Sequence, residues 1–503
     1  MADTSQTTDI NGKPYNRTLM VIVLMIGAFV TVLNETLLTT AFPTLMDRFN
    51  VSASTVQWLT TGFLMVNGIM IPVSAYMSSR FNTRTLFILA MIVFEIGTVM
   101  CWKANSFSVL LTGRLIQALG VGVNMPLLQN IMLTIFPPEK RGAAMGACGL
   151  VVGLAPAIGP TLSGWVIDNY SWRDLFGMLV PVAAVVIVAS FVFIKNVIPN
   201  SHPSLDILSL CLSSFGFGSM LYGFSSVGNK GWSSPVVIWT IVIGCILVAL
   251  LVKRQDYLDE PFMEFKVFKS PEFSLSTIIS SIVMMAMVGV ELIVPLYLQI
   301  IHNMSAFHSG LTLLWGAVFM GIMSPITGNL FDTYGARKLS IIGMFILTIG
   351  TIPFIFLNRD TPTIYIIFLY VVRMFGISMV AMPITTWGMN SLPYRLISHG
   401  TAVNNTIRQV ATSVGTAIMV SVLSDVTKAN KPSHTLLHQA PLQYKHEYLN
   451  ATLMGYHASF RFAVAFCVIG FALTFFIKDK HQDTVVFDEE ENNQATSSKG
   501  GAK

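Results

Sequence analysis

Acidic side chains inside long apolar segments are the residues of this sequence that stand out chemically. Three lie well inside such segments: Glu35, Glu95 and Glu291. An ionised carboxylate is costly in hydrocarbon, so each is expected to be protonated, paired with a cation or facing water. Groups in that position can take up and release protons, and we predict this chemistry for Glu35 and Glu291. For Glu95, a structural pairing is an equally good interpretation.

Basic residues inside the same segments are the natural partners of these acids. Arg114 is the basic residue well inside the first half of the chain, which makes it the predicted partner of Glu35, while Arg373 and Arg408 lie within later segments. An arginine at a helix centre costs about 2.5–3.5 kcal/mol on translocon scales, so it should face a cavity or a carboxylate. A purely structural hydrogen bond between helices is the alternative for Arg114.

The segments that carry these residues have the composition of membrane helices. Of the 503 residues, 53% are hydrophobic and 11% charged, and the mean hydropathy is +0.66. Soluble proteins carry roughly 25% charged residues, and a spanning helix needs about 20 mostly apolar ones. The sequence therefore predicts fourteen spans and an all-α membrane protein. They lie near 18–42, 55–77, 85–103, 107–127, 143–166, 175–195, 205–227, 236–252, 274–301, 309–331, 338–357, 362–385, 399–424 and 457–477.

The distribution of Lys and Arg predicts the orientation of the spans, and the spacing of Cys and His bears on disulfides and metal sites. Placing both termini inside leaves 18 Lys and Arg in cytoplasmic segments and 8 in external ones, as the positive-inside rule requires. We expect no cleavage at the N-terminus, because it lacks a short hydrophobic stretch with a small-residue cleavage site. The five cysteines lack CxxC or metal spacing, so neither a disulfide nor a metal site is predicted. His434 and His438 could bind a metal on a helix, but the segment near 425–456 reads as a solvated loop.

Landmarks recur at a nearly constant offset and reveal a duplication. The pairs are Glu35 and Glu291, Ala75 and Gly328, Arg114 and Arg373, Pro126 and Pro383, and Gly159 and Gly415, which are 253 to 259 residues apart. We predict two pseudo-symmetric six-helix bundles with two extra helices between them, a plan typical of secondary transporters. The predicted division is 1–17 (N-terminal tail), 18–195 (first bundle), 196–273 (linker with the extra pair), 274–477 (second bundle) and 478–503 (C-terminal tail).

Short motifs lie at matching places in the two halves. The turn after the tenth span reads Gly328-Asn-Leu-Phe-Asp332-Thr-Tyr-Gly335-Ala-Arg337-Lys338 and resembles the G-x-L-x-D-R-x-G-R-K signature of the major facilitator superfamily. In that signature the glycines permit a tight turn and the aspartate latches one conformation. The first-half counterpart has Ser79 at the aspartate position, so a plain basic turn is the alternative there.

Three further motifs extend the resemblance. The fourth span resembles L-x-x-x-R-x-x-Q-G-x-G around Arg114, and the first span resembles L-D-x-T-x-x-N-x-A-L-P, with Asn34 at the aspartate position and Glu35 beside it. The fifth span resembles the G-P-x-x-G-G motif of drug:proton antiporters, whose glycines and prolines suit a moving interface between halves. In it we single out Gly153, Pro156, Gly159, Pro160 and Gly164. The whole pattern resembles the fourteen-helix drug:H⁺ antiporter family.

The resemblance implies a proton-coupled exporter of lipophilic, often cationic compounds that works by alternating access. We also predict a monomer in the cell membrane of a bacterium, with no cofactor, no nucleic-acid partner and no enzymatic activity. The rivals are a related carrier of a lipid, peptide or metabolite and, less favoured, a membrane receptor or enzyme. Most aromatic and methionine side chains in a membrane protein merely pack or face lipid. We nevertheless predict that a set of polar, aromatic and methionine residues lines a binding surface for amphiphiles. These are Asn34, Trp58, Phe63, Met65, Tyr297, Gln299, Trp315 and Trp387.

Overall fold

The computed structural model of this protein describes residues 8–10, 12–38, 41–199, 206–258 and 261–478. In these residues fourteen helices are long and apolar enough to cross a membrane, which confirms the predicted number and the all-α membrane class. We label them α1 to α14 in chain order. The first six are Arg17–Thr36, Trp58–Arg80, Thr83–Trp102, Phe107–Ile135, Arg141–Asn169 and Leu179–Phe193. The extra pair, α7 and α8, is Ile207–Lys230 and Pro235–Gln255. The last six are Pro271–Ile300, Ala306–Tyr334, Ala336–Thr351, Thr363–Ser378 continued by Ala381–Asn390, Ile397–Ala429 and Pro441–Thr474.

Local sequence signals explain where several of these helices begin. Ser106, Ser270 and Ser305 each accept a hydrogen bond from a backbone N–H in the first turn of α4, α9 and α10, respectively. Such caps satisfy donors that have no partner within the helix. Pro235 and Pro441 occupy the first positions of α8 and α14, where a missing N–H costs nothing.

Helix ends differ from the hydropathy prediction in both directions, because some helices continue into polar sequence and α1 ends early. The predicted loop near 425–456 is mostly helical, because α13 runs to Ala429, a short helix spans His434–Gln439 and α14 begins at Pro441. The first span ends at Thr36 instead of residue 42, and Phe42–Phe49 forms a separate short helix. Hydropathy marks the part of a helix that lies in hydrocarbon and misses its polar extensions.

Helix packing divides the spans into two groups that each share an apolar core. One core is formed mainly by α1 to α6, and the other by α9 to α14. We call these groups the N-half (α1–α6) and the C-half (α9–α14). They meet along two seams, α5 against α10 and α2 against α13. Helix α7 packs on both α2 and α13, and α8 packs on α7. The extra pair therefore covers the α2/α13 seam.

Successive spans alternate in direction, which defines two faces. We call the side at which α1 begins the terminal face, and the other side the opposite face. Helices α5, α9 and α13 also begin at the terminal face, whereas α4 and α10 end there. The ion pair between Asp206 and Arg254, with 2.7 Å between Oδ2 and Nε, joins the start of α7 to the end of α8 at this face. Hydrogen bonding to Arg254 lowers the pKa of Asp206 to about 2.

Candidate functional site

The two carboxylates that the repeat pairs lie in the same region of the molecule. Glu35 lies in the last turn of α1, and Glu291 lies near the end of α9, so both are nearer the opposite face. Each is half-buried, and the two are within electrostatic range of each other although they belong to different halves. In the described part of the chain, neither carboxylate forms an ion pair. The region between the halves thus holds two acids that a proton or a cationic group can neutralise.

Arg114 organises the N-half side of this region. Its Nε donates to the Leu59 carbonyl (3.3 Å), and Nη1 donates to the carbonyl of Asn34 (3.2 Å) and to Oε1 of Gln117 (3.0 Å). The guanidinium lies 4.1 Å above the ring of Phe63. Its Nη2 is buried without a hydrogen-bond partner. One arginine therefore ties α1 and α2 to α4 and lies within electrostatic range of Glu35.

Gln117 extends this network to a third neighbour of α4. Its Nε2 donates to Oγ1 of Thr98 on α3 (2.8 Å), and its Oε1 accepts from Nδ2 of Asn34 (3.2 Å). Asn34 and Phe63, both predicted substrate residues, are fully buried in this network. The structure thus places both residues against Arg114.

Arg373 occupies the corresponding place in the C-half with fewer partners. Its Nη2 donates to the carbonyl of Ala286 on α9, while Nε and Nη1 are buried without a hydrogen-bond partner. It lies within electrostatic range of Glu291 and beside Tyr370. Each half thus brings a glutamate on its first helix and an arginine on its fourth to the same region, as the repeat predicts.

Glu95 and several of the predicted substrate residues lie elsewhere. Glu95 is half-buried on α3, and its Oε2 has no hydrogen-bond partner. Trp58, which is 40% exposed, stacks on Tyr222 of α7 with 5.9 Å between ring centroids. Tyr297 is fully buried and donates its hydroxyl to the carbonyl of Asn358 (2.6 Å). In the described part of the chain, no hydrogen bond joins the side chains of these three residues to the Arg114 network.

The remaining predicted residues have varied surroundings. Gln299 donates to Oγ of Ser309 (3.0 Å), and Trp387 packs on the C-half core. Trp315 is 58% exposed on α10, and Met65 is half-buried on α2. These four residues lie on four different helices.

Hydrogen bonds between the halves close the terminal face. Asp332 at the end of α10 accepts from the backbone N–H of Gly142 (2.8 Å) and Ala143 (2.9 Å), in the first turn of α5. A helix N-terminus carries unpaired N–H groups and partial positive charge, so a carboxylate there is stabilised. Gly328 lies directly against Gly142, where a side chain would overlap the backbone. Gly335 adopts φ +80° in the following turn, which precedes exposed Arg337.

Three side-chain pairs add to this closure, and motif reading missed them. Their bonds are Arg141 Nη1 to Asn390 Oδ1 (3.0 Å), Asn130 Nδ2 to Ser398 Oγ (2.6 Å) and Asn405 Nδ2 to Gln129 Oε1 (2.7 Å). The sequence does contain a signal for these pairs. Polar residues inside apolar helices need hydrogen-bond partners when they are buried. The first-half counterpart of Asp332, Ser79, instead donates within its own helix to Ala75 (3.1 Å).

The proline and glycine series of α5 packs on both α1 and α10. Gly153 lies against Met320, and Gly164 lies against Phe307, so the helix follows α10 towards both faces. Pro160 has no N–H, which leaves the carbonyl of Pro156 four residues earlier without its helical donor. Thr36, the residue after Glu35, donates its hydroxyl to that carbonyl (3.2 Å), and Gly159 leaves room for it. The motif therefore fixes the end of α1 that carries the carboxylate.

Comparison with known proteins decides the family. The sequence profile of the Major Facilitator Superfamily matches residues 24–416. The chain belongs to the major facilitator superfamily. This superfamily member is 48% identical over 471 residues to the transporter YcnB of Bacillus subtilis, covering 94% of the chain and 97% of YcnB. It is 40% identical over 481 residues to the lincomycin resistance protein LmrB of the same organism, covering 94% and 98%, respectively.

Solved structures show the same fold at low sequence identity. The human organic anion transporter MFSD10 superposes with a TM-score of 0.64 and 14% identity, covering 91% of the chain and 99% of MFSD10. The protein therefore has the major facilitator fold, extended by α7 and α8, and its family and fourteen spans make it a multi-pass membrane transporter.

Proposed function

We propose that this transporter exports lipophilic compounds, cationic ones included, in exchange for protons. One observation carries the proposal: Glu35 and Glu291 from the two halves lie within electrostatic range of each other in the membrane region. Arg114 and Arg373 lie near them. Binding sites of secondary transporters lie near the interface of such halves. If a proton and a cationic substrate compete for the same carboxylates, proton movement in one direction is coupled to substrate movement in the other.

The closed terminal face supports a cycle of alternating access. Basic residues favour a cytoplasmic terminal face, in which case this form is closed to the cytoplasm. Protons from outside then reach the carboxylates, which lie nearer the opposite face. Opening the terminal face requires release of Asp332 from the first turn of α5 and rupture of the three polar pairs. Substrate then enters from the cytoplasm or the inner leaflet.

The relatives favour drugs as cargo. LmrB is named for lincomycin resistance, and the Multidrug export protein EmrB of Haemophilus influenzae is 28% identical over 80% of this chain. We propose that the cargo is a drug-like amphiphile, that the carrier works as a monomer without a cofactor and that it lies in a bacterial cell membrane. A lipid, peptide or metabolite carrier is the alternative.

Transport by purified protein in proteoliposomes tests this function. Ethidium movement against its gradient is expected when a pH gradient is imposed and is expected to stop when an ionophore collapses that gradient. Glu35→Gln and Glu291→Gln should lose this coupled movement, whereas Glu139→Gln, at an exposed acid between α4 and α5, should retain it. If wild-type protein moves ethidium equally with and without the pH gradient, proton coupling is contradicted.

A further inference from the structure

Polar side chains join α9 to α13 within the C-half, away from the paired carboxylates, and we call this cluster the α9/α13 seam. Nδ2 of Asn404 donates to Oγ1 of Thr277 (3.2 Å) and Oγ of Ser280 (3.4 Å). One turn further along α13, Nη2 of Arg408 lies 3.2 Å from Sδ of Met284. Thioether sulfur is only a weak acceptor, so this arginine lacks a strong partner on α9.

The seam contains three hydrogen-bonding atoms without partners. They are Oδ1 of Asn404, Nε of Arg408 and Oγ1 of Thr412, all buried and spaced one helical turn apart on α13. Arg408 is 6% exposed and forms no ion pair among the residues that the structure describes. A buried cation without a counter-charge is strongly unfavourable, and an anionic ligand relieves that cost.

The seam lies next to the boundary between the halves. Asn405 donates to Gln129 of α4, and Gln409 lies against Gly68 of α2, so the residues that flank Arg408 on either side contact the N-half. Arg408 is 11 residues into α13, about 16 Å from its start at the terminal face. It therefore lies between the closed terminal face and the paired carboxylates, which are nearer the opposite face.

We propose that Arg408 binds a carboxylate or similar anionic group of the transported amphiphile. This inference rests on the proposed export function and names its substrate class. On α9, Met284 and Glu291 are seven residues apart, which is about 10 Å along the helix. A zwitterionic amphiphile spans that interval, with its anionic end at Arg408 and its cationic end at Glu291. Asn404 and Thr412 supply the flanking polar groups.

Equilibrium binding of two matched dyes tests the proposal. Rhodamine B carries a free carboxylate, and its ethyl ester is the same cation without it. Dissociation constants are measured by fluorescence polarisation in nanodiscs, without any pH gradient. Wild-type protein should bind rhodamine B more tightly than the ester. Arg408→Gln should weaken rhodamine B binding by roughly tenfold or more, the value of a charge-assisted hydrogen bond, and leave ester binding unchanged. Arg408→Lys should retain most of the preference.

A second variant covers the case in which Arg408→Gln does not fold. Asn404→Asp is isosteric and places a carboxylate one turn from Arg408, so it should compete with the dye and abolish the preference for rhodamine B. Equal binding of the two dyes by wild-type protein, binding of neither, or equal losses for both dyes in Arg408→Gln would overturn the proposal. Because no gradient is present, failure of proton coupling in proteoliposomes leaves this result unaffected.

Discussion

Replacing Asp332 with asparagine should shift the transporter away from the form closed at the terminal face. Asparagine keeps one acceptor for Gly142 but turns an amide N–H towards the N–H of Ala143, so one of two bonds is lost. A hydrogen bond to a charged group contributes about 1.5–3 kcal/mol, and the helix N-terminus adds about 0.3–1 kcal/mol. Asp332 is half-exposed, which reduces the sum to about 1–2 kcal/mol. That corresponds to a change of roughly five- to thirty-fold in the closed-to-open ratio.

Distance measurements between spin labels report that ratio directly. Labels at Glu139→Cys and Lys338→Cys, exposed positions on the terminal sides of the two halves, should show a larger long-distance population in Asp332→Asn. Ser79→Ala is the matched control, because the Ser79 hydroxyl bonds only within α2. The control should change the ratio by less than about twofold and impair transport far less. An unchanged ratio in Asp332→Asn, or equal transport loss in both variants at matched expression, would refute the latch.

Three further perturbations have defined outcomes. Substrate-induced proton release from detergent-purified protein should fall in Glu35→Gln and Glu291→Gln while substrate binding stays measurable; unchanged release in both would remove these residues from the coupling mechanism. Gly328→Leu should force the terminal face open, seen as the same spin-label shift, because its side chain overlaps the backbone of Gly142; a retained closed form would contradict that packing. Asp206→Asn should lower the thermal unfolding midpoint near neutral pH. The depressed pKa of Asp206, about 2 against 3.8, means that its stabilisation persists above pH 4 and fades as the pH falls towards 2, so the difference from wild type should narrow there.

The sequence predicted the membrane helices well because hydrocarbon imposes a simple length and polarity rule. All fourteen spans are present, and the errors lie at helix ends: α1 stops at Thr36, before the predicted apolar segment ends, and α14 begins at Pro441, in polar sequence. Beyond the hydrocarbon the constraint on length disappears, so hydropathy no longer locates the end of a helix.

The region that holds the charged residues of the apolar helices could be predicted from the sequence. Glu35, Glu291 and Arg114 stand out in an apolar sequence and lie in one region of the structure. Aromatic side chains such as Trp58 and Tyr297 have no such constraint, because they are equally stable in packing, at a helix end or against lipid. Which polar residues meet across the halves also depends on helix rotation, so the Asn130–Ser398 pair could not be predicted.

The continuous contact between α5 and α10 has a mechanical consequence. Gly142 touches Gly328 at the terminal face, Gly146 and Gly153 lie against Ser324 and Met320, and contact persists to the opposite face at Gly164. Small residues along one edge allow the helices to tilt and slide on each other while part of the contact is kept. We expect the two halves to rock along this edge, so that the contact loosens at one face while it persists at the other, and to shift against each other at the α2/α13 seam. Helix α7 lies there, so it must slide on either α2 or α13 in every cycle.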